Sequence, residues 1–189
     1  MNKTKRRIFN TAIKLFATKG FDNSGIEEIT AVSGVAKGSL YYHFKTKEEI
    51  FDTLLYGGYN LLINSIEIKF RHRQTAKEKL EAILLVLMKV VVLYEEFFMV
   101  MLSNSLGETD KTIKCRNTID KLVDKIAEVI QEGMDNGEFK EGDSKALAYF
   151  VFGTAYSSIL YRISEDRTPQ SNELYDSLIN NMLDGILKK

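Results

Sequence analysis

An all-α fold is predicted by three features of this 189-residue chain. It has one proline, at position 169, so little in it interrupts a helix. Leu, Ile, Lys and Glu are abundant, a composition that favours helix. Apolar residues recur every three or four positions, and glycines or capping residues stand where those stripes stop. Read together, these features give about nine helices and no persuasive strand.

The first helix spans Lys3 to Lys19, with Ile8, Ala12, Leu15 and Phe16 on one face and Gly20 as the stop. Ser24 followed by Glu27 fits a capping box. It opens a short second helix whose apolar stripe is read as Ile26, Ile29 and Val32. Gly34 permits a tight turn, Val35 plugs the angle, and Lys37 to His43 forms a third short helix. Thr46 followed by Glu49 is a second capping box. It opens a fourth helix to about Phe70, which Gly57-Gly58 should weaken or kink at mid-length. Thr75 to Glu96 is apolar on most faces and is expected to be a central buried helix. Phe97 to Leu106 is shorter and ends at Gly107. Thr109 to Asn136 carries Ile119, Leu122, Val123, Ile126 and Ile130 and stops at Gly137. Asp143 or Ser144 starts a helix to about Ser164. After a loop with Pro169, Asn172 to Leu187 closes the chain.

The window from Ser24 to Glu49 is a helix, a glycine turn, a helix and a further helix start, which is the grammar of a DNA-binding helix-turn-helix, its motif at 25–44. Phosphate contacts position such a helix and base contacts specify the sequence read. Lys37, at the start of the third helix, suits a guanine edge or a phosphate. Ser39 is small and polar, Gly38 lets backbone approach closely, and Tyr41 and Tyr42 end rigid rings in hydroxyls. Lys47 stands at a helix start, where charge and free amides favour a phosphate. His43 shares this surface, and Ser24 adds a cap and a phosphate contact. Leu40 and Phe44 are core. Arg6 and Arg7 are read as preceding the first helix, where they would touch the DNA backbone or a minor groove.

Charge supports the same reading. Residues 1 to 47 hold nine Lys or Arg against three acids, a net +6 in a chain whose total is zero, so residues 48 to 189 carry −6. A basic head on an acidic body suits a polyanionic partner. The domain expectation is therefore a helix-turn-helix head at 1–47 and a helical body at 48–189, with the boundary inside the fourth helix.

The run Ile8, Ala12, Leu15-Phe16, Gly20-Phe21, Ile26, Ile29, Ser33-Gly34-Val35-Ala36, Gly38, Leu40-Tyr41-Tyr42-His43-Phe44 and Lys47-Glu48 resembles the tetracycline-repressor (TetR) type of transcriptional regulator, over about residues 2 to 62. The chain departs from the usual pattern at Ser24-Gly25, where two hydroxyl residues are common, and at Thr30, where alanine is usual. The resemblance implies that Tyr41 and Tyr42 meet phosphates or thymine methyls. It also implies a ligand-binding and dimerisation body whose last two helices form a four-helix interface in a homodimer. Two observations agree with such an interface. Ser144 to Ser164 is rich in small residues (Ala148, Gly153, Ala155, Ser157, Ser158). The final helix has two apolar sides, Leu174, Leu178, Met182 and Ile186 on one and Tyr175, Ile179 and Leu183 on the other. A dimer would set two recognition helices roughly 34–36 Å apart on a palindromic double-stranded DNA operator.

The resemblance further implies a small-molecule effector in the body. Candidate lining residues are Tyr59, Ile63, Met88, Tyr94, Phe97, Phe98, Met101, Tyr149, Phe152 and Tyr156, since aromatics and methionines make an adaptable apolar pocket. Glu95 and Glu96, beside Phe97-Phe98, are expected to be solvated. The expected activity is repression, relieved when a lipophilic ligand moves the fourth helix, with Gly57-Gly58 as the flex point. Alternatives are activation, control by a protein partner, or organisation of DNA.

An enzyme is not expected. His43 and His72 are the only histidines, and no metal-spaced cluster, phosphate loop or nucleophile elbow is present, so no cofactor is expected. The single cysteine, Cys115, excludes an intramolecular disulfide and fits a reducing cytosol. Its neighbours Lys114 and Arg116 would lower its pKa in a redox sensor, against the plainer reading of an incidental thiol. The basic start is not followed by a long apolar run, and Ala82 to Tyr94 is too short and too charged for a membrane span. A cytoplasmic location is expected.

Overall fold

The computed structural model describes residues 1–165 and 180–187. The described residues form eight helices: α1 (Lys3–Lys19), α2 (Ile26–Ser33), α3 (Lys37–His43), α4 (Lys47–Phe70), α5 (Ala76–Leu93), α6 (Glu95–Ser103), α7 (Asp110–Asp135) and α8 (Ser144–Glu165). A last helical stretch follows at 180–186, and among the described residues there is no strand. One isolated antiparallel bridge joins Phe139 to Leu187. The chain divides into two compact units, Met1–Asn60 with Glu96–Arg116, and Leu61–Glu95 with Asn117–Lys189. The division falls inside α4, and the first unit takes in α6 and the start of α7 as well as the N-terminal helices.

In the first unit, Asn2 caps α1 by accepting from the Lys5 amide at 2.8 Å. The helix then buries Ile8, Ala12, Leu15 and Phe16, at the spacing its sequence foretold. Phe16, Phe21 and Phe51 pack as a triangle with ring centroids 5.0, 5.0 and 6.4 Å apart. Such pairs contribute about 0.5–1.5 kcal/mol each beyond area burial. The Lys111 ammonium sits 4.4 Å from the Phe21 ring and donates to both oxygens of Asp22 at 2.9 Å. Lys114 does the same to Asp52 at 2.7 Å. The first turn of α7 is thereby fastened to the loop after α1 and to α4.

At Gly57-Gly58, α4 runs on without interruption. The glycines were expected to weaken or kink the helix; its hydrogen-bonded run is continuous, and packing gives one of them another role. A Cβ on Gly58 would stand 2.3 Å from the Phe97 ring, so the glycine is a seat that lets α6 lie against α4. Gly57 has nothing within 4 Å of a built Cβ. Phe97 meets Phe98 edge-on at 5.3 Å, and both are buried.

In the second unit, α5 packs on α8. A reciprocal capping box of Thr75 and Glu78 starts α5. Glu138 adds a second cap from the loop after α7, accepting from the amides of Ala76 and Lys77 at 3.1 and 3.0 Å. Lys79 bridges to Glu132 of α7 at 2.6 Å. Phe139 folds back onto Gly133, where a Cβ would come within 2.2 Å of its ring. Lys140 then donates its amide to the Ile186 carbonyl at 3.0 Å and its ammonium to that of Gly185 at 2.9 Å. These bonds satisfy carbonyls at the end of the last helix. Met182, Leu183 and Ile186 are all buried within this unit, so both apolar sides of that helix are spent internally over its described part. Leu174, Tyr175, Leu178 and Ile179 lie outside the described residues.

Candidate nucleic-acid interface

The helix-turn-helix is held by a small set of contacts. α2 ends at Gly34, whose φ of +60° and ψ of +33° are left-handed and suit glycine. Arg7 reaches across from α1 and donates to the Gly34 carbonyl at 2.6 Å. This corrects the expectation for Arg6 and Arg7: both lie inside α1, and Arg7 braces the turn. Val35 is buried in the angle, and Ile29, Leu40 and Phe44 are fully buried beneath it. The Lys5 ammonium covers Phe44 at 4.7 Å.

The apolar stripe read for α2 needs one change. Val32 is 64% exposed, and Ser33 is buried instead, its hydroxyl returned to the Thr30 carbonyl at 3.3 Å. Eight residues make barely two turns, so one residue of phase decides which side chain faces in.

α3 divides sharply. Leu40 points inward, and Phe44 follows as the residue that ends the helix. Outward stand Lys37, Gly38, Tyr41 and Tyr42, with Ser39 and His43 half-buried. Tyr42 is 78% exposed, high for a large aromatic, and its ring meets His43 edge-on at 5.0 Å. Gly38 has open space around a built Cβ, so the structure itself does not require glycine there.

Two predicted residues are occupied within the fold. Ser24 is fully buried and donates to the Gly20 carbonyl at 2.7 Å, while the N-cap of α2 is Gly25, with no side-chain cap. The Ser24–Glu27 capping box is therefore not formed, and the Ser24 hydroxyl offers no surface to a phosphate. Lys47 donates to the Phe21 carbonyl at 2.8 Å and lies 4.2 Å from that ring, half-buried at the first position of α4. Thr46 does cap this helix, accepting from the Glu49 amide at 3.0 Å, but the Glu49 carboxylate returns to the Lys45 amide, one residue earlier than a capping box places it.

Sequence reasoning missed one group on this surface. Glu27 accepts from the Lys37 ammonium at 2.6 Å. That bond, the amide of Glu27 itself and the neighbouring charge hold its carboxyl below the usual carboxylate range, and Lys37 is raised in return, chiefly by the same bond. The ten-residue separation crosses a turn, so no helical spacing rule announces it.

The residues proposed to line an effector site are split between the units. Tyr59, Phe98 and Met101 lie in the first; Ile63, Met88, Tyr94, Tyr149, Phe152 and Tyr156 lie in the second. Met88, Phe98, Met101 and Phe152 are buried core, whereas Tyr94 and Tyr149 are exposed. The Tyr149 hydroxyl donates to Asp120 at 2.5 Å, which with burial raises its pKa. Glu95 and Glu96 are half-buried, where full solvation was expected. An open groove of about 610 Å³ runs along α7, lined by Asp124, Glu128, Gln131, Glu132 and Asp135 among others. Its four carboxylates do not suit an anionic or wholly apolar effector. Cys115 is fully buried, and burial pushes its thiol up to about 11, the opposite of what flanking Lys114 and Arg116 suggested. Among the described residues no helix is long and apolar enough to cross a membrane.

Residues 8–54 match the family model for bacterial regulatory proteins of the tetR family, and residues 73–160 match that for the Tetracyclin repressor-like C-terminal domain. The chain is 26% identical over 188 residues to the fatty acid metabolism regulator protein of Bacillus subtilis, covering 97% of this chain and 95% of that one. It is 25% identical over 184 residues to IcaR, the negative transcriptional regulator of the biofilm operon icaADBC in Staphylococcus aureus, covering 93% and 97%. A Clostridium perfringens protein described as a candidate fatty acid metabolism regulator superposes with a TM-score of 0.89 at 31% identity, covering 97% of this chain and all of that one. Two family models in sequence, full-length relatives and a shared fold agree: the chain belongs to the TetR family of DNA-binding transcriptional regulators.

Proposed function

We propose that the outer face of α3 reads a palindromic operator as part of a homodimer, and that the chain represses transcription until an acyl-chain ligand releases it. The observation that carries this reading is the division of α3. Two apolar anchors, Leu40 and Phe44, fix the helix from beneath. Lys37, Ser39, Tyr41, Tyr42 and His43 remain on the accessible side with hydrogen-bonding or charged groups. Exposed tyrosines on a rigid, anchored helix suit phosphate and base-edge contact at low entropic cost. Lys47 keeps two donors beyond the one it gives Phe21, so it serves as a phosphate contact at the edge of the same surface.

Dimerisation is supported by α8. Phe150 is 57% exposed, Ser157 is exposed, and Gly153 and Thr154 are half-buried, all at three- or four-residue spacing on one face. A large apolar ring beside small residues permits close helix approach. Repression is supported by the Staphylococcus aureus relative, a negative transcriptional regulator. The acyl-chain effector is supported by the Bacillus subtilis and Clostridium perfringens relatives and by the buried apolar side chains of the second unit, Met88 and Phe152 among them. Ligand release follows from thermodynamic linkage: a ligand that favours a form in which the two α3 helices cannot both reach successive grooves lowers DNA affinity by the same factor by which DNA lowers its own.

The test is selection of duplexes from a random-sequence pool, followed by titration of a selected duplex with the wild-type protein and with Tyr42→Ala, with and without long-chain fatty acids or their thioesters. Selective binding is expected, weakened roughly tenfold or more by the substitution, as loss of one or two contacts worth about 1–3 kcal/mol requires. Acyl ligands are expected to weaken it further. Recovery of a selective site whose binding Tyr42→Ala leaves intact would remove α3 as the reading face. Enrichment of no sequence at all would favour a DNA-organising role.

A further inference from the structure

The basic head contains three acids, and each is already paired. Asp22 is taken by Lys111 and Glu28 by Lys19, both away from α3. Glu27 alone of the three is paired with a residue of α3, the Lys37 that opens it. Both side chains of this pair are largely exposed, at 54% for Lys37 and 76% for Glu27. Exposed pairs of this kind contribute little to folding stability, so the fold does not depend on it. Its position matters more. The Lys37 charge is the first that α3 offers to DNA, and in the free protein it is paired with a carboxylate 2.6 Å away while both remain open to solvent.

We infer that Glu27 is a specificity-determining residue: by holding Lys37 it withholds one cationic contact from arbitrary DNA and yields it only where the duplex supplies a competing acceptor in the right place. The inference rests on α3 being the DNA-reading face. A single phosphate at a non-specific encounter must both displace Glu27 from Lys37 and accept its negative charge nearby, which makes the exchange nearly balanced. At the correct register a guanine edge presents two acceptors, O6 and N7, to the same ammonium. The exchange then becomes favourable, because the rest of the interface already holds the helix in place. The pair therefore lowers background binding more than it lowers operator binding.

The experiment compares wild type, Glu27→Gln, Lys37→Gln and the double variant on two probes: a duplex selected from a random pool by the wild-type protein, and a scrambled duplex of the same composition. Each is measured between 50 and 200 mM salt. Glu27→Gln is expected to tighten scrambled-duplex binding and to steepen the log-affinity against log-salt slope by about 0.9, so that its advantage over wild type grows roughly threefold to fourfold between 200 and 50 mM salt, the signature of one additional phosphate contact. Selected-duplex affinity is expected to rise less, so the ratio between the two probes falls. In the Lys37→Gln background the same change is expected to do nearly nothing, because the ammonium it would release is gone.

Two results would overturn the inference while leaving α3 as the reading face, with Tyr42→Ala still impairing binding. One is an unchanged probe ratio in Glu27→Gln. The other is an equal effect of that change with and without Lys37, which would make Glu27 a distant repulsive charge and nothing more. If the pool yields no selected duplex, the reading face and the inference fall together.

Discussion

Gly57 and Gly58 are adjacent, chemically identical and on one helix, yet the structure assigns them opposite responses to alanine. At Gly57 a methyl group meets open space, so Gly57→Ala should act through backbone entropy and helix propensity alone, stabilising the protein by about 0.5–1 kcal/mol. At Gly58 the same methyl would stand 2.3, 2.4 and 2.7 Å from Cε2, Cζ and Cδ2 of Phe97, well inside contact distance. Phe97 is 6% exposed and packed edge-on against a buried Phe98, so its ring has little room to retreat. Overpacking of this kind costs about 1–3 kcal/mol. The propensity gain offsets part of it, leaving a net loss on the order of 0.5–2 kcal/mol. The two variants should thus differ by roughly 1–3 kcal/mol in opposite directions, a separation of several degrees in Tm at about 2–4 °C per kcal/mol for a chain of this size. Thermal and urea unfolding of both variants, beside Gly58→Ala combined with Phe97→Leu, would measure it. The smaller side chain should recover part of the loss. If both alanines stabilise alike, the seat of Phe97 on α4 is not real. If both destabilise alike, the loss belongs to the helix rather than to that contact. The comparison also separates packing from any hinge: Gly57→Ala stiffens α4 without disturbing α6, so it is the clean variant for asking whether flexure there serves ligand response.

Cys115 should react slowly with thiol reagents in the folded protein at pH 8 and rapidly in denaturant, since a thiol titrating near 11 is almost wholly protonated there; fast native labelling would contradict its burial. Its linkage runs in a fixed direction: the folded pKa lies above the ordinary value of 9.0, so the contribution to stability is intact below pH 9 and is lost as pH rises from about 9 to about 11. A stability profile of wild type against Cys115→Ala should show the two curves converging over that window. Lys111→Ala should cost roughly 1 kcal/mol, through loss of its partly buried ion pair with Asp22 and its place on the Phe21 ring. Lys145→Ala, whose pairing with Asp124 is exposed on both sides, should cost clearly less in the same unfolding assay; equal losses would deny Lys111 its role as a fastening.

Much of the molecule was legible because its signals are local. Glycines after stripes, hydroxyls before them and the three-four spacing of Ile8, Ala12, Leu15 and Phe16 place most helix boundaries within two or three residues. The failures share a cause. Ser24 has the right neighbour for a capping box, but its hydroxyl goes to Gly20, a partner fixed by how the loop after α1 closes. Val32 fits a stripe in sequence, but an eight-residue helix does not have enough turns to fix its own phase. Gly57-Gly58 read as weakness because sequence cannot show that Phe97, almost forty residues later, fills the space one of them leaves. The effector candidates are the least legible of all. Aromatic and methionine content says that apolar volume exists, not whether a ligand or the protein's own core fills it, and Tyr149 turned out to spend its hydroxyl on Asp120.

The residues of the proposed interface divide along the same line, and the division bears on mechanism. Those that were legible, Lys37, Tyr41 and Tyr42, are the groups that face outward. Those that were not, Arg7, Lys111 and Glu27, govern the first set. Arg7 fixes the turn through Gly34. Lys111 holds Phe21 and Asp22 beside the carbonyl that Lys47 binds. Glu27 occupies Lys37. A seven-residue helix cannot hold its own orientation by backbone hydrogen bonds, so α3 depends on Leu40 and Phe44 beneath it and on the Arg7 brace beside it. It follows that, on the proposed reading, DNA affinity can be altered at Arg7 or Lys111 without touching a residue of α3. Because Lys111 belongs to α7 and lies in the same compact unit as α3, a shift of the start of α7 would reach the proposed reading face through Phe21 and Asp22, beside the carbonyl that Lys47 binds, rather than through a diffuse loosening of the head.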